Sequence, residues 1–250
     1  MISLSLIIPC YNEEVNLQKG VLDKIGNYVE KREEFKEVLI IDDGSNDKSK
    51  EIIKRKYLAL FPKFKLIENK HKGKANAVLV GILKASNSYV MFSDIDLATP
   101  IEESEKLINA ADQGFKIIIG SRQSKRIGAP ILRKIMAIGA IVVRDLIIGL
   151  HGIKDTQCGF KLFQKKAAEK IINKLIVYKQ RNLIEGSSVS AGFDIEFLFI
   201  ARKLGYEIKE IPVTWKHVET KNVHFLNDSI EALKDIFKIK YLDFKGQYNK

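Results

Sequence analysis

Strand and helix signals alternate along the first hundred residues, and this alternation constrains the fold more than any other feature of the chain. Short apolar runs predict strands at residues 4–8, 37–41, 64–68 and 89–93. Apolar residues at helical spacing predict helices between them, at residues 13–31, 48–60 and 75–85. Such alternation is typical of βαβ units, which form a mostly parallel sheet with helices on both faces. The chain is therefore predicted to have an α/β fold.

The second half of the chain is less regular but continues without a linker. Strand signals lie at residues 115–119 and 208–213, and helical signals at 165–175, 192–204 and 228–240. The sequence contains no internal repeat, low-complexity tract or Gly/Ser-rich connection between its halves. Residues 1–250 are therefore predicted to form a single domain, which is long enough to bury a substantial core.

Polar residues gather where the predicted strands end. These positions are residues 9–12, 42–47, 94–96 and 120–122. The carboxyl ends of parallel strands meet at one edge of a sheet, and ligands bind in the crevice outside that edge. The four loops are therefore expected to form one site.

Asp94 and Asp96 flank Ile95 directly after the apolar run at residues 89–92. An extended backbone directs alternate side chains to one face, so the two carboxylates can converge on one cation. Oxygen ligands of this kind suit Mg²⁺ or Mn²⁺, which keep open positions for substrate phosphates. A turn at the end of a strand, where Asp is common, is the alternative interpretation.

The charge of the chain indicates an anionic partner, since 42 Lys+Arg against 31 Asp+Glu give a net charge of +11. The sequence has no zinc-ligand spacing, Arg-rich tail or clear aromatic-bearing strand motif, which argues against nucleic acid. Cys10 and Cys158 form no disulfide framework, so a reducing, cytosolic compartment is expected. Four histidines show no ligand spacing and are expected to be ordinary loop residues: His71, His151, His217 and His224.

Residues 131–150 are the candidate for membrane contact. Their longest uncharged stretch, residues 135–143, is far shorter than the roughly 20 apolar residues of a spanning helix. Arg133 lies eleven residues before Arg144, about three helical turns, so the charges share one stripe and leave a broad apolar face. Such a helix can lie in a membrane interface. Packing on the core of its own domain is the alternative.

Four segments, taken in order, resemble the motifs of family 2 glycosyltransferases with the GT-A fold. They are Pro-Cys-Tyr-Asn-Glu-Glu (9–14), Asp-Asp-Gly-Ser-Asn-Asp (42–47), Asp-Ile-Asp (94–96) and Gly-Ser-Arg (120–122). More narrowly, Lys-Asp-Thr-Gln-Cys-Gly-Phe-Lys-Leu-Phe (154–163) and Phe-Asp-Ile-Glu (193–196) resemble the dolichyl-phosphate β-glucosyltransferase branch. No Gly-x-Gly-x-x-Gly follows the first strand, which argues against a dinucleotide-binding dehydrogenase.

The resemblance implies that about residues 1–122 bind a nucleotide-sugar. The candidate donor-binding residues are Pro9, Tyr11, Glu13, Asp42, Asp43, Lys74, Asp94 and Lys221. Carboxylates among them would accept hydrogen bonds from base N–H groups and ribose hydroxyls, and the basic residues would lie near the donor. Turn chemistry is the alternative for Asp42 and Asp43, and a solvated loop lysine is the alternative for Lys74.

The resemblance also implies a catalytic set, which comprises Asp94, Asp96, Arg122 and Asp194. Asp94 and Asp96 would bind a Mg²⁺ or Mn²⁺ that bridges the donor diphosphate. Ala98 stands where related mannose synthases carry a glutamine near the metal, a departure that favours the glucosyl branch.

About residues 123–250 are assigned to the acceptor and the membrane. Arg122, Arg133 and Gln157 would face the acceptor phosphate, since an arginine fork donates two parallel hydrogen bonds. A membrane-facing or solvated charge is the alternative for Arg133. For Asp155, Gln157 and Asp194, contact with the sugar or acceptor competes with the capping of a neighbouring loop.

The resemblance therefore implies an inverting, metal-dependent transferase that moves a hexose, with glucose from UDP-glucose favoured, to dolichyl or another polyprenyl phosphate. No signal peptide or anchor precedes the first predicted strand, so peripheral attachment to the cytosolic face of a membrane is expected, through residues 131–150, the last helix and the positive charge. The alternatives are GDP-mannose as donor, a non-lipid glycan as acceptor, and a catalytically idle module that docks on RNA or membrane.

Overall fold

The computed structural model describes residues 2–122, 131–179, 191–216 and 225–249. The strands are β1 (Leu4–Cys10), β2 (Phe35–Asp42), β3 (Phe64–Glu68), β4 (Tyr89–Ser93), β5 (Ile117–Ser121), β6 (Phe160–Gln164) and β7 (Ile208–Pro212). The helices of the described residues are α1 (Glu14–Gln18), α2 (Val21–Val29), α3 (Ser49–Ile52), α4 (Leu58–Leu60), α5 (Lys74–Lys84), α6 (Ser104–Asp112), α7 (Ile131–Ile148), α8 (Lys165–Asn173), α9 (Ala191–Lys203) and α10 (Phe225–Phe244). A π-helical turn, Ile53–Tyr57, joins α3 to α4, and a 3₁₀ turn, Ile101–Glu103, precedes α6.

The strands form one sheet in the order β3-β2-β1-β4-β6-β5-β7. Neighbouring strands are parallel except at β6, which runs antiparallel between β4 and β5. The predicted mostly parallel sheet with flanking helices is therefore confirmed. The sequence pattern did not predict β6, because Lys161 interrupts its apolar run and gives it no clear period.

The core lies in two layers, one on each face of the sheet. All seven residues of β1 are buried, as expected for a parallel strand in the interior of a sheet. Leu6 and Ile8 pack in the layer that contains α2 and α6, whereas Ile7 packs in the layer that contains α5, α8 and α9. This alternation confirms that helices cover both faces and that the sheet edge remains available to the loops.

Two of the predicted helices depart from a single regular α-helix. The helix expected at residues 13–31 divides at Gly20, whose φ of 74° is left-handed and ends α1 before α2 begins. The helix expected at residues 48–60 is continuous, but its middle turn is π-helical. Spacing of apolar residues predicts that a helix exists and does not predict where its hydrogen-bond pattern changes.

Helices α7 and α10 pack against each other and expose apolar side chains to solvent. The exposed residues are Val142, Val143 and Leu146 on α7, and Phe237, Tyr241 and Phe244 on α10. Arg144, expected on one stripe with the other charges of this helix, is buried, and its guanidinium donates to the Ile153 carbonyl and to Asp145. The side chains of Arg133 and Lys134 lie outside the described residues. Within the described part of the chain, no helix combines the length and apolarity that crossing a bilayer requires.

Candidate active site

The loops after β1 and β2 are joined by hydrogen bonds at the carboxyl edge of the sheet. The backbone N–H of Asn12 donates to Ser45 Oγ at 3.0 Å, and that of Asn46 donates to Asn12 Oδ1 at 2.9 Å. The N–H of Glu13 donates to Ser49 Oγ at 2.8 Å. Asn12 has a φ of 53°, a conformation that asparagine tolerates better than most residues. These hydrogen bonds therefore hold the two loops together at the predicted nucleotide site.

Asp43 is held almost entirely by its neighbouring loop. Its carboxylate is 2% exposed and accepts hydrogen bonds from the backbone N–H groups of Lys72, at 3.1 Å, and Gly73, at 2.8 Å. Nδ1 of His71 lies 2.9 Å from Asp43 Oδ2, and the His71 ring stacks on Tyr11 with 4.1 Å between centroids. Burial outweighs these partners and raises the pKa of Asp43. Hydrogen bonds from this neighbouring loop thus hold Asp43 in place, and its role in donor binding stays a prediction.

Pro9 and Asp42 lie deeper than the other predicted donor-binding residues. Pro9 is buried at the end of β1 and pairs with Ile41 in the sheet. The Asp42 carboxylate is fully buried, accepts a hydrogen bond from the N–H of Ser45 at 3.3 Å and lies 3.7 Å from Lys50 Nζ. Pro9 and Asp42 therefore lie beneath the surface of the carboxyl edge, whereas Tyr11 is half-buried and reaches that surface.

Asp94 and Asp96 are brought together by a turn. Strand β4 ends at Ser93, the N–H of Leu97 donates to the Asp94 carbonyl at 3.3 Å, and Leu97 has a φ of 53°. The N–H of Ala98 donates to Asp96 Oδ1 at 3.0 Å. Burial raises the pKa of Asp96, and the charge of Asp94 adds to the effect. The two carboxylates are therefore neighbours, but the extended backbone assumed from the sequence is wrong and the strand-end turn is right.

The Asp94 carboxylate is enclosed by Lys74 and Gly159. Lys74 Nζ lies 2.5 Å from Asp94 Oδ1, a buried oxygen that accepts no hydrogen bond of regular geometry. Burial acts to lower the pKa of Lys74, but the Asp94 charge outweighs it and the pKa is raised. A Cβ on Gly159 would collide with the Asp94 carboxylate. In the sequence Gly159 stands out only as part of the 154–163 motif, since nothing local reveals that the residues after β4 and the loop before β6 meet here.

Glu13 lies beside this acidic pair. Burial raises its pKa, a hydrogen bond from Asn16 opposes the rise, and the charges of Asp96 and Asp94 add to it. The predicted residues Glu13, Asp94 and Asp96 are thus close enough to interact electrostatically.

The carboxylates fit a hard divalent cation. Asp94 and Asp96 supply oxygen donors, and Asp94 Oδ1, which is ion-paired with Lys74, would become a ligand once Lys74 pairs with a phosphate instead. Among the described residues, no group of three or more His, Cys, Asp and Glu side chains is arranged to hold a metal. An ion at this position would therefore need further ligands from substrate phosphate and water, as is usual for Mg²⁺.

Arg122 and Asp155 form a bidentate ion pair on the other side of the edge. Arg122 Nε donates to Asp155 Oδ2 at 2.7 Å, and Nη2 donates to Oδ1 at 2.9 Å. Burial acts to raise the pKa of Asp155, but Arg122 outweighs it and the pKa is lowered. Since guanidinium carries five N–H donors, the pair leaves donors for a second anion.

Asp194 pairs with a lysine that the sequence did not indicate as functional. Lys161, on β6, is 2% exposed, and its Nζ lies 2.6 Å from Asp194 Oδ1 on α9. Burial raises the pKa of Asp194, and Lys161 opposes the rise. Asp194 is also within electrostatic range of Lys74 and Asp94, so α9 reaches the same site. A lysine inside an apolar strand is the signal that could have identified this pair.

The remaining candidates on the acceptor side are less defined. Gln157 is exposed, and its N–H donates to Asp155 Oδ1 at 3.1 Å. Lys221, His217 and His224 lie outside the described residues, as does the side chain of Arg133.

Comparison with known proteins agrees with this architecture. The family model "Glycosyl transferase family 2" matches residues 5–172. A dolichyl-phosphate beta-glucosyltransferase of Trichomonas vaginalis is 36% identical over 94% of this chain and 72% of its own length. The Saccharomyces cerevisiae enzyme of the same name is 31% identical over 99% of this chain and 77% of its own.

Solved structures resemble the chain in fold. Glucosyl-3-phosphoglycerate synthase of Mycobacterium tuberculosis, crystallised with Mn²⁺, UDP and glucosyl-3-phosphoglycerate, has a TM-score of 0.66 and 14% identity, over 96% of this chain and 80% of its own. The mannosyltransferase PcManGT of Pyrobaculum calidifontis, with GDP-Man and Mn²⁺, has a TM-score of 0.62 and 16% identity, over 95% of this chain and 63% of its own.

The sheet and its flanking helices are those of the GT-A fold, the class of glycosyltransferases to which these structures belong. The chain belongs to glycosyl transferase family 2 and is a glycosyltransferase.

Proposed function

We propose that this glycosyltransferase transfers glucose from UDP-glucose to the phosphate of dolichol or another polyprenol, with inversion at the sugar. The single observation that carries the proposal is the arrangement of charge at the carboxyl edge. Asp94, Asp96 and Lys74 lie on the donor side, and Arg122 lies opposite, near enough for the Asp94 charge to contribute to its raised pKa. The names of the similar curated enzymes support the choice of sugar and acceptor.

The donor end of the site would bind the diphosphate through opposite charges. Lys74 provides an ammonium group beside the carboxylates, and it can pair with a phosphate oxygen as readily as with Asp94. Asp94 and Asp96 would hold Mg²⁺ or Mn²⁺, which when bound supplies neutralising charge to the departing diphosphate. The structures of UDP complexes with Mn²⁺ or Mg²⁺ in proteins of this fold support a divalent metal.

The acceptor end needs positioning and positive charge more than it needs a base. A phosphate monoester is anionic near neutral pH, so its oxygen attacks the anomeric carbon without first losing a proton. The bond from that carbon to the UDP oxygen breaks, and UDP leaves with the electron pair. Arg122, held in one orientation by Asp155, would use its remaining donors to hold the acceptor phosphate in line.

We further propose that α7 and α10 attach the protein to the membrane that holds the acceptor. Leu146 and Phe244 are 77% and 86% exposed, and the exposed aromatic residues of α10 recur at intervals of four and three residues along one stripe. Exposed lysines on and just after α10 suit an anionic lipid surface: Lys234, Lys238, Lys240 and Lys245. Two free, buried cysteines are compatible with a reducing compartment at its cytosolic face.

A transfer assay tests the chemistry. Purified protein with Mg²⁺ or Mn²⁺ should transfer labelled glucose from UDP-glucose to a polyprenyl phosphate, and should use GDP-mannose poorly. Asp94→Asn should lower the rate by about 10³-fold, since it removes charge where the leaving group departs. Asp112→Asn is the matched control, because Asp112 is exposed and lies near Tyr89 at the opposite end of β4. Transfer from GDP-mannose alone would overturn the donor assignment.

Flotation with liposomes tests the attachment. Leu146→Asp combined with Phe244→Asp should reduce binding to anionic vesicles by about tenfold or more, because apolar contact area is lost and negative charge is added. Leu60→Asp is the matched control, since Leu60 is an apolar residue of α4 that is 53% exposed. It lies away from α10, because the adjacent Phe61 packs in one core layer and Ile236 and Ile239 of α10 pack in the layer on the other face of the sheet. Equal binding by both variants would contradict the assignment of this surface.

A further inference from the structure

His71 lies among the residues assigned to the nucleoside, although its sequence context indicates only an ordinary loop histidine. It belongs to the loop between β3 and α5. Its ring is nearly parallel to that of Tyr11, with 16° between the planes and 4.1 Å between the centroids. Its Nδ1 lies 2.9 Å from Asp43 Oδ2 and 3.1 Å from the Asp43 carbonyl.

These contacts join three loops of the carboxyl edge. Tyr11 follows β1, Asp43 follows β2 and His71 follows β3, and these strands are consecutive in the sheet. The segment that carries His71 also packs closely on the loop after β2, since a Cβ on Gly44 would lie 3.0 Å from the His71 backbone nitrogen. The His71 side chain thus holds together the loops that are expected to bind the base and the ribose.

We propose that His71 is a positioning residue for the nucleoside, and that it holds Tyr11 so that the paired rings form an aromatic wall against which the base stacks. This inference rests on the proposed function, because it takes the donor to be a nucleoside diphosphate sugar. His71 and Tyr11 are both partly exposed, so an aromatic surface is presented at the edge. The Asp43 carboxylate accepts hydrogen bonds from residues 71–73, and it acts through His71 because it holds the imidazole ring in place.

Loss of His71 should weaken binding of the nucleoside and leave binding of the diphosphate unchanged. Stacking of a base on an aromatic side chain changes affinity by roughly five- to 150-fold. Loss of His71 leaves Tyr11 in place but unsupported, so an effect near the lower part of this range, about tenfold, is expected. Binding of inorganic pyrophosphate needs Lys74 and the carboxylate pair and should be unchanged.

The test compares UDP with pyrophosphate as ligands of the full-length protein in the presence of Mg²⁺. His71→Ala should raise the dissociation constant for UDP, measured by calorimetry, and the KM for UDP-glucose by about tenfold, with kcat changed less than twofold. His71→Phe keeps a ring to stack on Tyr11 and should recover most of the affinity. His151→Ala, an exposed loop histidine, is the control, and thermal unfolding of each variant checks that the fold is intact.

The outcomes separate this inference from the proposed function. A wild type that binds UDP, with His71→Ala equally tight or weakened equally for UDP and pyrophosphate, would overturn the role of His71 and leave the function standing. A wild type that binds neither UDP nor GDP would overturn both. Selective loss of UDP affinity with rescue by phenylalanine would establish the role.

Discussion

The carboxylates on the two sides of the active site are stabilised in different ways. On the nucleoside side, the carboxylates of Asp42 and Asp43 accept hydrogen bonds from backbone N–H groups: Asp42 from Ser45, and Asp43 from Lys72 and Gly73. On the phosphate side, which would hold the donor diphosphate and the acceptor phosphate, three carboxylates face a cationic side chain. The pairs are Asp94 with Lys74, Asp155 with Arg122, and Asp194 with Lys161.

This difference matches what each side would bind in the proposed function. A base and a ribose are neutral and need a rigid, preformed surface, which backbone donors provide at little cost in side-chain entropy. A diphosphate and an acceptor phosphate are anionic, and lysines and arginines already paired with carboxylates can exchange one anion for another. The nucleoside side therefore presents a preformed surface, and the phosphate side presents cations that can exchange partners.

The largest expected effect concerns the buried pair of Lys161 and Asp194. Lys161→Met should lower the free energy of unfolding by about 3 kcal/mol, because Asp194 remains buried without its cation. Asp43→Asn should cost about 1 kcal/mol, since asparagine can still accept a backbone hydrogen bond. Urea denaturation at pH 7 measures both. The double variant Lys161→Met with Asp194→Asn should recover part of the loss, and equal losses for Lys161→Met and Asp43→Asn would remove the contrast.

A smaller effect is expected from the space that Gly159 leaves for Asp94. Gly159→Ala should lower kcat by ~10², because the added Cβ displaces the carboxylate from its position beside Lys74. The KM for the donor should change little if Tyr11 and His71 hold the nucleoside independently. Gly205→Asn is the control, since nothing lies near Gly205 and asparagine tolerates its φ of 77°. Steady-state transfer kinetics would show a change in KM instead of kcat if the two sides were not separable.

The smallest effect is a pH dependence of opposite sign for Asp155 and Asp43. The pKa of Asp155 is lowered in the folded protein, so its stabilising contribution is complete above the unfolded value near 3.8 and is lost as the pH falls below it. The pKa of Asp43 is raised, so the wild type gains stability relative to Asp43→Asn as the pH falls towards 3.8. Between pH 6 and pH 3, urea denaturation should show the difference in unfolding free energy between wild type and Asp155→Asn narrowing, and the difference for Asp43→Asn widening. Slopes of the same sign would show that burial, and not the type of partner, controls both groups.

Much of the fold could be predicted from local patterns. The predicted strands at residues 64–68 and 89–93 coincide with β3 and β4. β4 is buried throughout, as is typical of a parallel strand inside a sheet, whereas β3 lies at the sheet edge and is only partly buried. The position of Asp94 and Asp96 at the carboxyl edge follows from the same alternation of strands and helices. The turn between Asp94 and Asp96 could not be predicted in the same way, since an Asp-x-Asp segment is compatible with both a strand and a turn.

The sequence by itself determined the α/β architecture, the edge where the site lies and the acidic pair at its centre, because each depends on residues that are neighbours in the chain. Tertiary structure alone decided the antiparallel insertion of β6, the contact of Gly159 with Asp94, the burial of Lys161 against Asp194 and the stacking of His71 on Tyr11. These contacts join residues at least 33 positions apart. Such pairs form only when packing of the whole core brings their strands and loops together, and the spacing of residues along the chain does not predict which pairs will meet.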